Sequence, residues 1–100
     1  MNTRPIVYLK EAIAEIDELY TDYELIRSGL GERFYSALAK QTSRIASNPE
    51  MYGIIEDGMR ACPLLKFPQV IYYKIESNLI LIVAVQHGRV DWNFWRKRLP

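Results

Sequence analysis

The sequence predicts an α+β fold: an N-terminal strand and a two-helix hairpin packed on a small, mostly antiparallel sheet, closed by a short C-terminal helix or tail. Three observations predict it. Apolar residues recur at three- and four-residue spacing between positions 12 and 45, broken only by Ser28-Gly29-Leu30-Gly31. Beyond Gly53 the pattern becomes extended, and residues 79–85 are apolar on both faces. With 49% hydrophobic, 12% aromatic and 25% charged residues, the 100-residue chain is expected to bury one core, as a single domain over residues 1–100.

Each element has a local reason. Residues 5–9 are β-branched and aromatic after a proline, which reads as a strand. From Lys10 the period changes. Ala12, Ile13, Ile16, Leu19, Tyr20, Tyr23 and Ile26 share one side and Glu11, Glu15, Asp17, Glu18 and Asp22 the other, the pattern of an amphipathic helix. Ser28-Gly29-Leu30-Gly31 tolerates a tight turn, after which Phe34, Ala37, Leu38, Gln41 and Ile45 resume the helical spacing. Asn48-Pro49 ends this second helix, because a residue before proline is pushed out of the helical region. Pro49-Glu50-Met51-Tyr52 has room for one further turn.

Residues 59–67 are expected as a strand, with Pro63 implying an edge position or a bulge. Residues 70–76, the turn Ser77-Asn78 and residues 79–85 form a hairpin whose second strand is central. The helical hairpin covers one face of that strand, so the other face requires a further element or a partner. Gly88 ends the strand, and Asp91 is placed to cap a short helix running through Arg98.

Composition excludes several functions. The seven-residue apolar run at 79–85 is far short of the roughly 20 residues of a membrane helix, so no membrane partner is expected. Met1-Asn2-Thr3-Arg4-Pro5 carries no apolar export signal, which makes the cytoplasm the expected location. Cys62 is the only cysteine, excluding an internal disulfide and a thiolate metal cluster. No glycine-rich phosphate loop, paired-carboxylate site, metal-ligand cluster or nucleophile elbow is present, so neither a cofactor nor a metal is expected.

The net charge of +1 conceals a dipole. Residues 1–57 hold six Lys/Arg against ten Asp/Glu, a net of −4; residues 58–100 hold seven against two, a net of +5. Arg96-Lys97-Arg98 follow closely on Trp92, Phe94 and Trp95. Cations beside aromatic faces suit an anionic partner, whether nucleic acid or an acidic peptide. Three aromatics within four residues exceed what one short helix can bury, and aromatics with arginine are the residue types of binding hot spots. Trp92, Trp95, Arg96, Lys97 and Arg98 are therefore the expected target-binding residues, although Trp95 also suits a place folded back on the core.

A second chemistry is open. His87, the only histidine, closes the central strand where a general acid or base could reach a site. Arg60, Lys66 and Arg89 fall on or beside strands, and cations there would stabilise a pentavalent phosphate. Arg60, His87 and Arg89, with Tyr72 or Tyr73 as a weaker acid, are thus the catalytic set of an RNA-cleaving alternative. The structural readings are a hydrogen-bonded histidine at the sheet margin and arginines paired with Glu56, Asp57 or Asp91.

Several strings together carry a resemblance: Ala12-Ile13-Ala14-Glu15-Ile16 with a following tyrosine, Gly29-Leu30-Gly31-Glu32-Arg33-Phe34, Asn48-Pro49-Glu50, Phe67-Pro68 through Ile71-Tyr72-Tyr73, and Val83-Ala84-Val85-Gln86-His87-Gly88-Arg89. In order and spacing they resemble the RelE/ParE superfamily of type II toxin–antitoxin toxins over nearly the whole chain. The resemblance implies a helical hairpin on a small sheet, a growth-inhibiting toxin of the kind that serves plasmid stabilisation, and a cognate antitoxin with an acidic, partly helical tail.

RelE-like members cut messenger RNA in the ribosome, whereas ParE-like members poison DNA gyrase without being enzymes. The tail resembles the family ending His-x-Arg-Arg-Asp-Pro-x-x-Trp-x-x-Arg through His87, Arg89, Asp91, Trp95 and Arg98, but departs at Val90 and Trp92. Loss of a cation at Val90, added contact surface at Trp92 and a net charge of only +1 fit phosphate chemistry poorly and favour the ParE-like side. The alternatives are a ribosome-dependent endoribonuclease and a non-toxic member that only binds its partner.

Overall fold

The computed structural model describes residues 4–89 and 96–99. The order is β1 (Ile6–Tyr8), α1 (Lys10–Ile26), α2 (Leu30–Ser47), a 3-10 turn (Pro49–Met51), β2 (Ile54–Glu56), β3 (Met59–Pro63), β4 (Gln69–Ile75), β5 (Ile80–His87) and a 3-10 turn at Arg96–Arg98. The strands form one sheet in the order β1-β5-β4-β3-β2. β1 runs parallel to β5, and every other pair is antiparallel. This is the α+β arrangement the sequence predicts.

Both helices lie on one face of the sheet. In α1 the seam is Ala12, Ile16, Leu19 and Tyr23, and in α2 it is Phe34, Leu38, Gln41 and Ile45, each at spacings of four, three and four. Against them the sheet presents Cys62, Ile71, Tyr73, Ile80, Ile82 and Val85. Ile13 and Ile26, expected on the seam, are exposed: Ile13 falls off the 12/16/19/23 stripe, and Ile26 is the last residue of α1. Tyr23, Phe34 and Phe67 pack ring on ring, with centroids 5.1–5.8 Å apart, and join both helices to the loop after β3.

The helix–helix turn differs from the expected four-residue break. Gly29 takes the left-handed conformation (φ 89°), and α2 begins at Leu30, so Gly31 already lies in its first turn. At Gly31 the helices approach too closely for a side chain: a Cβ there would stand 2.7 Å from Glu24 Cγ and 2.8 Å from the Tyr20 ring. No side chain of α2 itself caps its start. The carboxylate of Glu24, from α1, accepts hydrogen bonds from Gly29 N (3.0 Å) and Gly31 N (2.8 Å), placing negative charge at the positive end of the helix dipole.

Two further differences concern the sheet. β2 is a strand the sequence reading left out; it joins β3 through Asp57-Gly58, both at positive φ (52° and 77°), a tight hairpin turn. β3 ends at Pro63 rather than continuing to residue 67. Pairing with β2 reaches only Arg60, so Pro63 lies where β3 has no neighbour on that side and its missing N–H costs no ladder bond.

β5 carries a bulge. Tyr72 pairs with Ala84 and Tyr73 with Ile82, leaving Val83 as the extra residue. The insertion resets the alternation: Ile80, Ile82 and Val85 face the helices, while Val83 and Ala84 join Met59 and Tyr72 on the opposite face. The cover this second face was expected to need comes in part from the chain itself, since Leu9 and Leu99 pack against that cluster. The expected helix from Asp91 lies mostly outside the described residues, which show the 3-10 turn at Arg96–Arg98.

Two predictions follow from these contacts. Replacing Glu24 with Ala is expected to lower stability by about 1 kcal/mol in urea unfolding, with the fold retained, through loss of the cap on α2. Tyr73 is buried and donates to Pro49 O at 2.6 Å, and burial pushes its phenol up to about 12 from 10.0. A raised folded-state value makes its contribution complete below pH 10 and lost as pH climbs from 10 through about 12. The alkaline fall in stability should therefore be shallower in Tyr73→Phe, measured by urea unfolding between pH 8 and 11.5.

Candidate functional site

Three places bear on function: the sheet positions proposed for RNA cleavage, the groove beside α2, and the anchorage of the basic C-terminal segment. The first set is dispersed. Arg60 stands on the helix side of β3, where its Nη1 donates to Tyr52 O (2.6 Å) and Glu50 O (3.4 Å), tying the 3-10 turn after α2 to the sheet. Arg60 is in register with Tyr73, and Tyr73 with Ile82, whereas His87 lies opposite Gln69. On β4 the same span, Tyr73 to Gln69, is four residues, about 13 Å at 3.3 Å per residue.

Within the set, Arg60 lies beside Tyr73 on the neighbouring strand, and at the far end of the sheet Arg89 N donates to His87 Nδ1 at 3.1 Å. His87 opens on a cleft of about 150 Å³ that Glu15 and Glu18 also line, so carboxylates rather than cations are its charged neighbours there. Tyr73 faces Pro49 and Tyr72 the opposite side of the sheet, with burial raising both phenols. Lys66 sits in the loop after β3 at φ 69°, away from Arg60 on the strand. The thiol of Cys62 is buried and pushed up by that burial, which makes it a core group.

Lys66 belongs instead to a groove that no local pattern of residues announces. About 700 Å³ in volume, it runs between α2 and the loop joining β3 to β4. Leu30, Ala37, Leu65 and Phe67 supply its apolar lining; Arg33, Lys40 and Lys66 are its exposed cations. The one carboxylate there, Glu32, accepts a hydrogen bond from Tyr20 OH at 2.8 Å. That bond, with the charge of Glu32, pushes the Tyr20 phenol up to about 12. Among the described residues no ion pair engages the three cations. Such a surface accepts an anionic chain that also has apolar side chains to bury.

The third place is the return of the chain to the sheet after residue 95. Arg98 Nη2 meets Glu15 Oε2 at 2.6 Å, and its Nη1 donates to Val83 O at 3.2 Å. Lys97 is exposed, and Arg96 takes part in the 3-10 turn. Trp92 and Trp95 lie outside the described residues. Of the expected target-binding set, the structure thus shows one member facing inward and one facing solvent. Glu15, the inward partner, is a residue that sequence reasoning placed only on the polar side of α1; its distance in sequence from Arg98 left no local signal.

Comparison with known proteins bears on these surfaces. The family model described as "ParE toxin of type II toxin-antitoxin system, parDE" matches residues 6–92. Among solved structures the fold is similar to a chain of a "Chromosomal ParDE TA system from P. aeruginosa", with a TM-score of 0.75 and 16% identity, covering 85% of this chain and 96% of that one. At that identity the likeness is one of fold. No curated protein matches the chain. Among the described residues no helix is long and apolar enough to cross a membrane.

Proposed function

The chain belongs to the ParE toxin family of type II toxin–antitoxin systems, and from that premise we propose that it poisons DNA gyrase through its basic aromatic C-terminal segment and is neutralised in the cytoplasm by a cognate antitoxin. Trp92, Trp95, Arg96 and Lys97 supply the contacts to gyrase: the indoles offer large apolar faces and the cations offer charge-assisted hydrogen bonds. The chain itself catalyses no reaction.

The layout of the cations carries this reading. An RNA-cleaving site needs its base, acid and phosphate-stabilising cations within hydrogen-bond reach of one reacting group. Here Arg60 is engaged by main-chain carbonyls about 13 Å along the sheet from His87. The run Arg96-Lys97-Arg98, by contrast, is fastened to the sheet by one of its members.

The antitoxin's acidic, partly helical tail docks in the groove between α2 and the loop after β3. Arg33, Lys40 and Lys66 meet its carboxylates, and Leu30, Leu65 and Phe67 bury its apolar side. A segment that folds on binding uses part of its interaction energy in ordering, which a long groove with both kinds of contact offsets.

A brief pulse of expression in a bacterial host is expected to raise the DNA-damage response within minutes while translation continues; immediate translation arrest with fragmented messages would overturn the gyrase reading in favour of RNA cleavage. In the same assay His87→Ala should stay as toxic as the parent. For the groove, the double variant Lys40→Glu/Lys66→Glu is expected to bind the antitoxin encoded beside it at least tenfold more weakly. Most of that loss should lie in the association rate, and the parent's affinity should fall with added salt. Unchanged affinity would place the antitoxin elsewhere.

A further inference from the structure

β5 is longer than the strand beside it. Pairing with β1 ends at Tyr8 opposite Ile82, and Leu9 N closes it by donating to Ile82 O at 3.0 Å. The chain then turns into α1, while β5 continues to His87. The edge of residues 83–87 on that side would present unpaired N–H and C=O groups beside a buried core, which is costly unless something pairs them.

Two side chains take the place of the missing strand. Glu15, in the second turn of α1, accepts Val85 N on Oε1 at 3.1 Å and the Gln86 amide on Oε2. Arg98 donates to Val83 O, the carbonyl of the bulge residue, and to Glu15 Oε2. The carboxylate and guanidinium therefore complete the edge together, each only 15% exposed. One residue on, Leu99 packs on the second face against Met59, Tyr72, Val83 and Ala84. Residue 98 thus returns to within the strand that residues 88 and 89 have just left, fixing both ends of the intervening segment on β5.

A pair this enclosed is weak evidence for stability, because desolvation offsets much of its attraction. Its yield is geometry: it fixes where residue 98, the end of the basic run, lies on the sheet. We propose that Glu15 is the positioning residue of the toxin, its carboxylate holding the C-terminal segment on the free edge of β5, with Arg98 serving as that segment's anchor rather than as a contact to the target. The target-binding role of the segment rests on the function proposed above; the anchorage stands apart from it.

The test compares the purified parent with Glu15→Gln, Arg98→Met and the double variant, by hydrogen–deuterium exchange and by inhibition of gyrase supercoiling, with circular dichroism reporting the fold. Glu15→Gln keeps the acceptor for Val85 N and removes the charge that Arg98 needs. It is expected to speed exchange across residues 96–99 at least tenfold, to leave Val85 N protected, and to weaken gyrase inhibition at least tenfold, with the fold retained. Arg98→Met should match it, and the double variant should be no worse than either alone, since one shared interaction can be lost only once.

Unchanged exchange at residues 96–99 in Glu15→Gln would overturn the anchorage. Weaker gyrase inhibition in Arg98→Met with none in Glu15→Gln would make Arg98 a direct contact and overturn its assignment as anchor. Should Glu15→Gln fail to fold, Arg98→Lys, which keeps the charge but loses the two-pronged grip, is expected to give intermediate exchange and inhibition, and parent-like values would count against the proposal. If the parent does not inhibit gyrase, the proposed function falls, and exchange alone decides the anchorage.

Discussion

The constraint on which the rest depends is β5: six consecutive apolar residues from Ile80, needing cover on two faces and partners on two edges. Each neighbouring element answers one of those needs. β4 pairs along its length, β1 takes the first three residues of the other edge, α1 and α2 cover one face, and Leu9 and Leu99 contribute to the other. The bulge at Val83 is what lets a single strand serve both cores. Were the strand regular through Val83, Ala84 would follow Ile82 towards the helices and Val85 would turn away from them.

What the sequence revealed follows from the range over which each signal acts. The helices were legible because the 12/16/19/23 and 34/38/41/45 stripes repeat over three turns each, and the β4–β5 hairpin because its apolar run is bounded by Ser77-Asn78. β2 was missed despite the Asp57-Gly58 turn signal, since its isoleucines are exposed and three residues are too few for an alternation to register. The functional surfaces were less legible than the fold. The groove exists only once Leu65, Lys66 and Phe67 are laid against α2, and the partnership of Glu15 with Arg98 exists only once β5 outruns β1. Both depend on tertiary placement, which periodicity does not encode.

The charge dipole read from the sequence acquires a spatial meaning. Glu15, Glu24 and Glu32, all in the acidic half, are each engaged inside the molecule: on the edge of β5, at the start of α2, and by the Tyr20 hydroxyl. Lys40 and Lys66, from the two halves of the chain, converge on one groove. These three carboxylates are thus occupied within the molecule while Arg33, Lys40 and Lys66 stay exposed, so that a chain of net charge +1 still presents a positive face at that groove.

The parallel pairing of β1 with β5 also dictates an order of events during synthesis. Among the described residues, residues 6–8 have as their strand partner residues 80–82, made after the whole helical hairpin and three further strands. Until that late stretch leaves the ribosome, the first strand has nothing to pair with, and the helical hairpin lacks the apolar residues of β5 that complete its core. The nascent chain thus cannot close its sheet before residue 82 has emerged, an interval in which a partner protein already present has access to it.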